Sequence, residues 1–222
     1  MIEDESNLYD IPASKRRILI LAIPRTGSSI LQRIISYCLE LTPLSPETHP
    51  IKEKEYKQEL KKIIKYSGLV SKFDPTLASP EFLEFIIHSF HRVVILIREN
   101  IVDHGTSNAR ASLYSYNGAY DLNDKVEEYI ENNMYKATKL LKSLRAHLSV
   151  VELAVKYKIP ILTYESLYTE DRSKVIENLK FFGVKKHEIG EERFNRALEL
   201  FNPRNKYTNS NSIIKDTKKL KL

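Results

Sequence analysis

Residues 24–29, PRTGSS, bring a permanent cation, three hydroxyls and a glycine into six consecutive positions. Arg25 supplies a guanidinium fork suited to a multiply charged oxyanion. Thr26, Ser28 and Ser29 supply hydroxyls, and Gly27 lets the backbone turn tightly and approach an oxygen closely. A helix starting just after Gly27 would aim its leading N–H groups at the same place. Together these make a nest for a tetrahedral anion. The Gly-Lys-Ser/Thr ending of the nucleotide triphosphatase loop is absent, so the lysine and hydroxyl that hold β- and γ-phosphates and Mg²⁺ are missing. The plainer reading of these residues is a strand-to-helix turn capped by a serine.

A second set lies in RENIVDHGTS, residues 98–107, directly after the apolar run RVVILI. Arg98 is followed by Ser107 at a spacing of nine and by Thr106 at eight. An arginine fork with a nearby hydroxyl grips phosphate; the plainer alternative for Arg98 is a surface pair with Glu99. A third set closes GLVSKF at Lys72 and Asp74. Asp74 reads as a general base or, better, as a turn residue before Pro75.

Six histidines are present. His49, beside Glu47 in the proline-rich LTPLSPETHP, is the other candidate base, against the plainer reading of a solvated loop residue. His104 falls inside the second set, where it is placed to face a bound nucleotide. His88 and His91 flank the start of RVVILI and read as structural, and His147 and His187 carry no signal. The single cysteine, Cys38, excludes a disulfide framework and a Cys-rich zinc site and fits a reducing compartment.

Positioning these residues requires strands that end in them. RILILAI (17–23) is a continuous apolar run of the kind buried on both faces of a parallel sheet. GLVSKF (68–73), RVVILI (92–97) and IPILTY (159–164) read as three further strands. Helices are expected over 28–40, with Ile30, Leu31, Ile34, Ile35 and Leu39 on one face, and over 52–66. SPEFLEFIIHSF (79–90) opens with an N-cap serine and a proline at the first helical position. Further helices are expected from about 100 to 112 and from 124 to 157, across SKVIENLKFFGV with Gly183 as its stop, and across EERFNRALELF. Strands alternating with helices imply an α/β fold, a parallel sheet with helices on both faces. Ligands in such sheets sit at the carboxyl ends of the strands, so the first three strand ends should meet in one crevice.

The 222 residues, 42% hydrophobic, suffice for one substantial domain. We expect a flexible leader over 1–15, a single α/β domain over 16–205 and a basic tail over 206–222. The leader is acidic and resembles no secretory signal, and no apolar run is long enough for a membrane span, which together suggest a cytoplasmic protein. A net charge of +6 fits a lysine-rich solvated surface or a basic groove for an anionic ligand.

PRTGSS resembles the phosphosulfate loop of the PAPS-dependent sulfotransferases, written Pro-(Lys/Arg)-(Ser/Thr)-Gly-(Ser/Thr)-(Ser/Thr). VVILIRENIVDHGTSNARAS is similar to that family's second element, of the bacterial nine-residue form, in which a strand-end Arg and a helix Ser grip the nucleotide 3′-phosphate. By that resemblance Arg98 and Ser107 take these roles, with Thr106 in reserve. IPILTYESLYTEDRSKVIENLKFFGV resembles the late segment in which a Tyr contacts adenine, here Tyr164, although Ser166 stands where the family has Asp. NPRNKYTNSNS resembles the basic loop that closes over the 3′-phosphate and offers Arg204 and Lys206. The chain has no Trp, so Phe73 or a Tyr must take the place of an adenine-stacking Trp.

The resemblance implies a P-loop-like sulfotransferase fold and an enzyme that moves a sulfuryl group from PAPS to a hydroxyl or amine by in-line displacement. The product is adenosine 3′,5′-bisphosphate, and no metal is required. It implies donor contacts from Arg25, Thr26, Gly27, Ser28, Ser29, Arg98, Ser107, Tyr164 and Arg204. Arg25, Lys72 and His49 are the implied catalytic set. The expected partner is a small-molecule or carbohydrate acceptor, with no nucleic acid. The Tyr-rich loop 113–123 and LTPLSPETHP are placed to shape its pocket. The alternatives are a nucleotide kinase-like phosphotransferase and a non-catalytic anion- or nucleic-acid-binding protein; the missing Lys-Ser/Thr speaks against the first.

Overall fold

A computed structural model describes residues 6–44, 53–107, 133–168 and 171–201. Five parallel strands form one sheet: β1 (Arg17–Ala22), β2 (Thr42–Leu44), β3 (Leu69–Phe73), β4 (Arg92–Ile97) and β5 (Ile161–Thr163). Their order is β2-β3-β1-β4-β5. β1 is central because both of its neighbours run parallel to it, with Ile18 opposite Val70 on one side and Arg92 on the other.

Sheet pleating sends alternate residues of β1 to opposite faces. Ile18, Ile20 and Ala22 join a core with α1 (Ser28–Leu39), α6 (Arg172–Phe181) and α7 (Glu191–Leu200). Leu19 and Leu21 join a second core with α2 (Glu53–Tyr66), α3 (Pro80–Ser89) and α5 (Asn133–Tyr157). Ile18 through Leu21 are each fully buried, and burial of such side chains stabilises by about 1.5–3 kcal/mol apiece. A continuous apolar run, rather than an alternating one, is what a two-faced core demands. Of the expected face of α1, Leu31, Ile34, Ile35 and Leu39 are buried and Ile30 is partly so.

Three elements depart from expectation. The proline-rich stretch after α1, expected as loop, contains β2. Pro43 is tolerated there because β2 pairs on one side only, with β3. Gln32 of α1 pins that edge by donating from Nε2 to the Leu44 and Val70 carbonyls, each at 2.9 Å. β5 is shorter than 159–164, because Pro160 cannot donate to the ladder and Thr163 already caps a one-turn helix, Tyr164–Leu167.

The third departure is the expected loose leader. Its residues 6–15 form a turn at Ser6–Tyr9 and a 3-10 turn at Ala13–Lys15, and both are docked. Leu8 is buried, and Tyr9 donates its hydroxyl to the Lys180 carbonyl. Arg16, 1% exposed, donates to the carbonyls of Leu8, Ile11 and Gly183 and pairs with Glu188 at 3.0 Å. A buried guanidinium is tolerated only when its donors are met in this way.

Of the expected helices at 100–112 and 124–157, residues 101–107 (α4) and 133–157 (α5) are helical; Asn100 lies just before α4, and the other positions lie outside the described residues. α6 stops at Gly183, whose φ of 76° is the left-handed conformation that ends a helix at little cost in glycine. Among the described residues, no helix is long and apolar enough to cross a membrane.

Candidate active site

The turn after β1 adopts a conformation that few sequences tolerate. Arg25 and Gly27 have φ of 69° and 85°, both left-handed, with Thr26 between them. Thr26 is fully buried, and its hydroxyl donates to the Ile23 carbonyl at 2.9 Å. That hydroxyl, expected to face a ligand, instead ties the loop to its strand, leaving the Thr26 N–H as its means of contact. Gly27 is the N-cap of α1, and no side chain caps the first turn. The plain serine-capped turn is therefore not what forms. The leading N–H groups carry the positive end of the helix dipole and stay available to an anion.

Gly27 is further constrained by two rings. A Cβ there would lie 2.9 Å from Tyr164 Cδ2 and 3.0 Å from Tyr168 Cε2. The Gly27 carbonyl accepts the Ile30 and Leu31 N–H groups and the Tyr168 hydroxyl, the last at 3.1 Å. Tyr168 was not singled out in the sequence. It stands four residues after Tyr164, one helical turn on, and the rings pack with centres 4.6 Å apart.

The neighbouring strands deliver the other groups. Lys72 lies opposite Ile20 in the β1–β3 register, and its ammonium donates to the Ser29 hydroxyl at 2.6 Å. Arg25 Nε donates to the Ser107 hydroxyl at 3.2 Å, so the two sequence sets meet in space across 82 residues. Arg98 follows β4 with a side chain 15% exposed, near Asp103 at 3.5 Å and Glu165 at 3.8 Å. Its guanidinium sits 4.9 Å from the centre of the Tyr164 ring, within cation–π range. Glu165 accepts the N–H groups of Glu99 and Asn100, fastening β4's exit to the one-turn helix. Ser166, which departs from the family pattern, completes a reciprocal capping box with Thr163.

Phe73 and His104 differ from expectation, whereas Asp74 and His91 take their plainer roles. Phe73 is 2% exposed and packs against the Tyr56 and Phe82 rings; it belongs to the core and is no adenine platform. Asp74 accepts from the Thr76 N–H and hydroxyl, so it is the turn residue and not a poised base. His104 does not face solvent or a ligand cleft: it is 1% exposed, with Nε2 2.7 Å from the Pro24 carbonyl. Burial pushes its pKa down, against the pull of the Pro24 bond. His91 is structural, accepting the Arg17 N–H.

His147, without signal in the sequence, is buried beside His104. A lone histidine in a helical pattern carries no mark of the strand end it will meet. His49, Glu47, Arg204, Lys206 and the Tyr-rich loop lie outside the described residues. Among the described residues, no cluster of His, Cys, Asp and Glu is arranged to hold a metal.

Arg25, Lys72, Arg98, the Ser28, Ser29 and Ser107 hydroxyls and an uncapped helix start are thus gathered at the carboxyl ends of β1, β3 and β4. An assembly of this kind binds an elongated polyanion and stabilises charge that develops on it.

The family model described as "Sulfotransferase domain" matches residues 15–221. The chain belongs to this sulfotransferase family and is an α/β enzyme of its P-loop-like fold. Among solved structures it is similar to mouse sulfotransferase SULT7A1, a protein crystallised with PAP, at 13% sequence identity and a TM-score of 0.52. The match covers 89% of this chain and 67% of that one, and at this identity the likeness is one of fold. A comparison with curated protein sequences finds no match.

Proposed function

We propose that this sulfotransferase takes its sulfuryl group from PAPS and passes it to a hydroxyl or amine of a small molecule or carbohydrate. The observation that carries the reading is the Arg25–Ser107 hydrogen bond. It supports this reading because it joins the phosphosulfate-like loop to the helix that follows the Arg98 strand end, and a ligand with a 5′-phosphosulfate and a 3′-phosphate would need both. The uncapped start of α1 and the Ser28 and Ser29 hydroxyls suit the 5′ group. Arg98 and Ser107 suit the 3′-phosphate, the Tyr164 region suits the base, and Arg204 is a further cation for the 3′ side.

PAPS supplies a sulfuryl group on a good leaving group. As the S–O bond to the 5′-phosphate breaks, its electron pair stays on the phosphate oxygen; the acceptor oxygen or nitrogen forms the new bond to sulfur. Arg25, Lys72 and the N–H groups from Thr26 to Ser29 stabilise the charge gained by the departing oxygen. Lys72, an ammonium, has no lone pair for the acceptor's proton. His49, with Glu47 beside it, is the base we propose. The reaction needs no metal in this scheme, and the donor leaves as adenosine 3′,5′-bisphosphate. We further propose one α/β unit over 16–205 followed by a basic tail. A cytoplasmic setting is supported by the free, buried Cys38, and nucleic acid is not among the proposed partners.

Thermal stabilisation tests the donor. Adenosine 3′,5′-bisphosphate at ~100-fold saturation should stabilise by about 2.7 kcal/mol. ATP–Mg²⁺ and an oligonucleotide should do far less, and stabilisation by ATP–Mg²⁺ alone would return the phosphotransferase reading. Arg98→Ala should weaken bisphosphate binding, whereas Arg25→Ala should chiefly depress turnover.

A further inference from the structure

The one-turn helix after β5 carries a chain of rings from one anion grip to the other. Thr163 and Ser166 cap it reciprocally, and Tyr168 closes it, its N–H donating to the Tyr164 carbonyl at 2.9 Å. The Arg98 guanidinium lies 4.9 Å from the centre of the Tyr164 ring, and that centre is 4.6 Å from the Tyr168 ring. Phe201 backs the Tyr168 ring at 5.7 Å. The Tyr168 hydroxyl donates to the Gly27 carbonyl at 3.1 Å, across 141 residues. Tyr168 is 6% exposed, and burial first, then Tyr164, push its pKa up against the Leu31 N–H. The hydroxyl therefore keeps its proton and stays a donor.

That hydroxyl does what a phenylalanine could not. The Gly27 carbonyl already accepts the N–H groups of Ile30 and Leu31, each at 3.1 Å, so the first turn of α1 closes without it. The ring by itself would fill the space, because Tyr168 belongs to the apolar core on that face of the sheet. What the hydroxyl adds is a hold on one peptide unit. The Gly27 carbonyl and the Ser28 N–H share a planar trans peptide and point in opposite directions. Fixing the oxygen toward Tyr168 fixes the N–H toward the anion turn. Gly27 is left-handed at φ 85°, has no side chain to restrain this peptide, and is followed by an uncapped turn. Among the described residues, Tyr168 is the one partner outside α1 that holds its carbonyl. A Cβ at Gly27 would meet both tyrosine rings, so the glycine that loosens the peptide also lets Tyr168 reach it.

We propose that Tyr168 is a positioning residue for the 5′ group of the donor: its hydroxyl orients the Gly27–Ser28 peptide so that the Ser28 N–H is aimed at that group before the donor arrives. The inference rests on the donor reading above and adds a residue that touches neither donor nor acceptor. Through Tyr164 the same side chain is braced against Arg98. The two effects are separable, because the hydroxyl acts on the loop and the ring on the stack.

The test compares adenosine 3′,5′-bisphosphate with adenosine 3′-monophosphate, which lacks only the 5′-phosphate. Both are titrated calorimetrically into wild type and Tyr168→Phe, with competition against the bisphosphate for the weaker ligand. Tyr168→Phe keeps the ring and should melt within about 4 °C of wild type. It should bind the bisphosphate about three- to tenfold more weakly, the size of one hydrogen bond. Its affinity for the 3′-monophosphate should be unchanged, a split that a loss of overall stability would not produce.

An equal loss for both nucleotides, no loss at all, or a variant that does not fold would each overturn the proposal. A wild type that binds neither nucleotide defeats the donor reading. Thermal stabilisation by inorganic sulfate, measured against chloride at equal ionic strength, then judges Tyr168 separately and should be smaller in Tyr168→Phe. Equal stabilisation of the two proteins, or none in wild type, would sink the positioning role as well.

Discussion

Lys72 donates a 2.6 Å hydrogen bond to the Ser29 hydroxyl, joining the end of β3 to the first turn of α1. Strand register makes the contact possible, since Lys72 and Ile20 are opposite one another and Ile20 lies near the end of β1. An ammonium so held is positioned before any ligand arrives, which is the condition for efficient charge stabilisation.

Replacing Lys72 by Met should therefore lower kcat on the order of a hundredfold or more, with a smaller change in bisphosphate affinity. Steady-state kinetics beside calorimetry separates the two. Undiminished turnover would remove Lys72 from the catalytic set.

Gly27→Ala forces a side chain into a left-handed turn and to within 2.9–3.0 Å of two aromatic rings, well inside van der Waals contact. The expected cost is about 1–3 kcal/mol, with a melting temperature lower by a few degrees and weakened bisphosphate binding. A variant that melts with the wild type would show the turn to be more permissive than its geometry.

His91 governs stability in mildly acidic solution. Burial, then the Arg17 charge, push its pKa down to about 4 from 6.5. Between those values the unfolded chain binds more protons than the folded one, so stability present above about pH 6.5 is lost as pH falls toward about 4. Urea midpoints measured across that window should decline in the wild type and decline less in His91→Asn.

Glu188 acts lower on the scale. Burial opposes its ionisation, but the hydrogen bond and charge of Arg16, with Lys185, outweigh burial and set its pKa below 4.5. Its contribution is present above the unfolded value of 4.5 and is lost as pH falls through the lower folded value. Glu188→Gln should flatten acid unfolding in that range. Arg16→Met leaves three carbonyls without their donor and should cost about 3 kcal/mol, releasing residues 6–15 to proteolysis.

Much of this protein is written in local patterns. The runs RILILAI, LVSKF and RVVILI announce buried parallel strands because both faces of a central strand need apolar side chains. Each motif sits where such a strand ends, so PRTGSS, Lys72 and Arg98 could be named before any fold was known. Capping signals were equally local: Ser79 with Pro80 opens α3 as expected, and Gly183 closes α6. β2 escaped because an edge strand of three residues, one of them proline, leaves almost no periodic signal.

What the tertiary structure decided was which residues meet. Arg25 finds Ser107, Tyr168 closes on Gly27, and the Thr26 hydroxyl turns inward to Ile23. His104 and His147 arrive from different helices to hold the carbonyls of Pro24 and Arg98. Residue type and spacing determine what a side chain is able to do within a turn or two of its own backbone. Partners brought together by sheet order and helix packing across tens of residues are settled only when the two cores close.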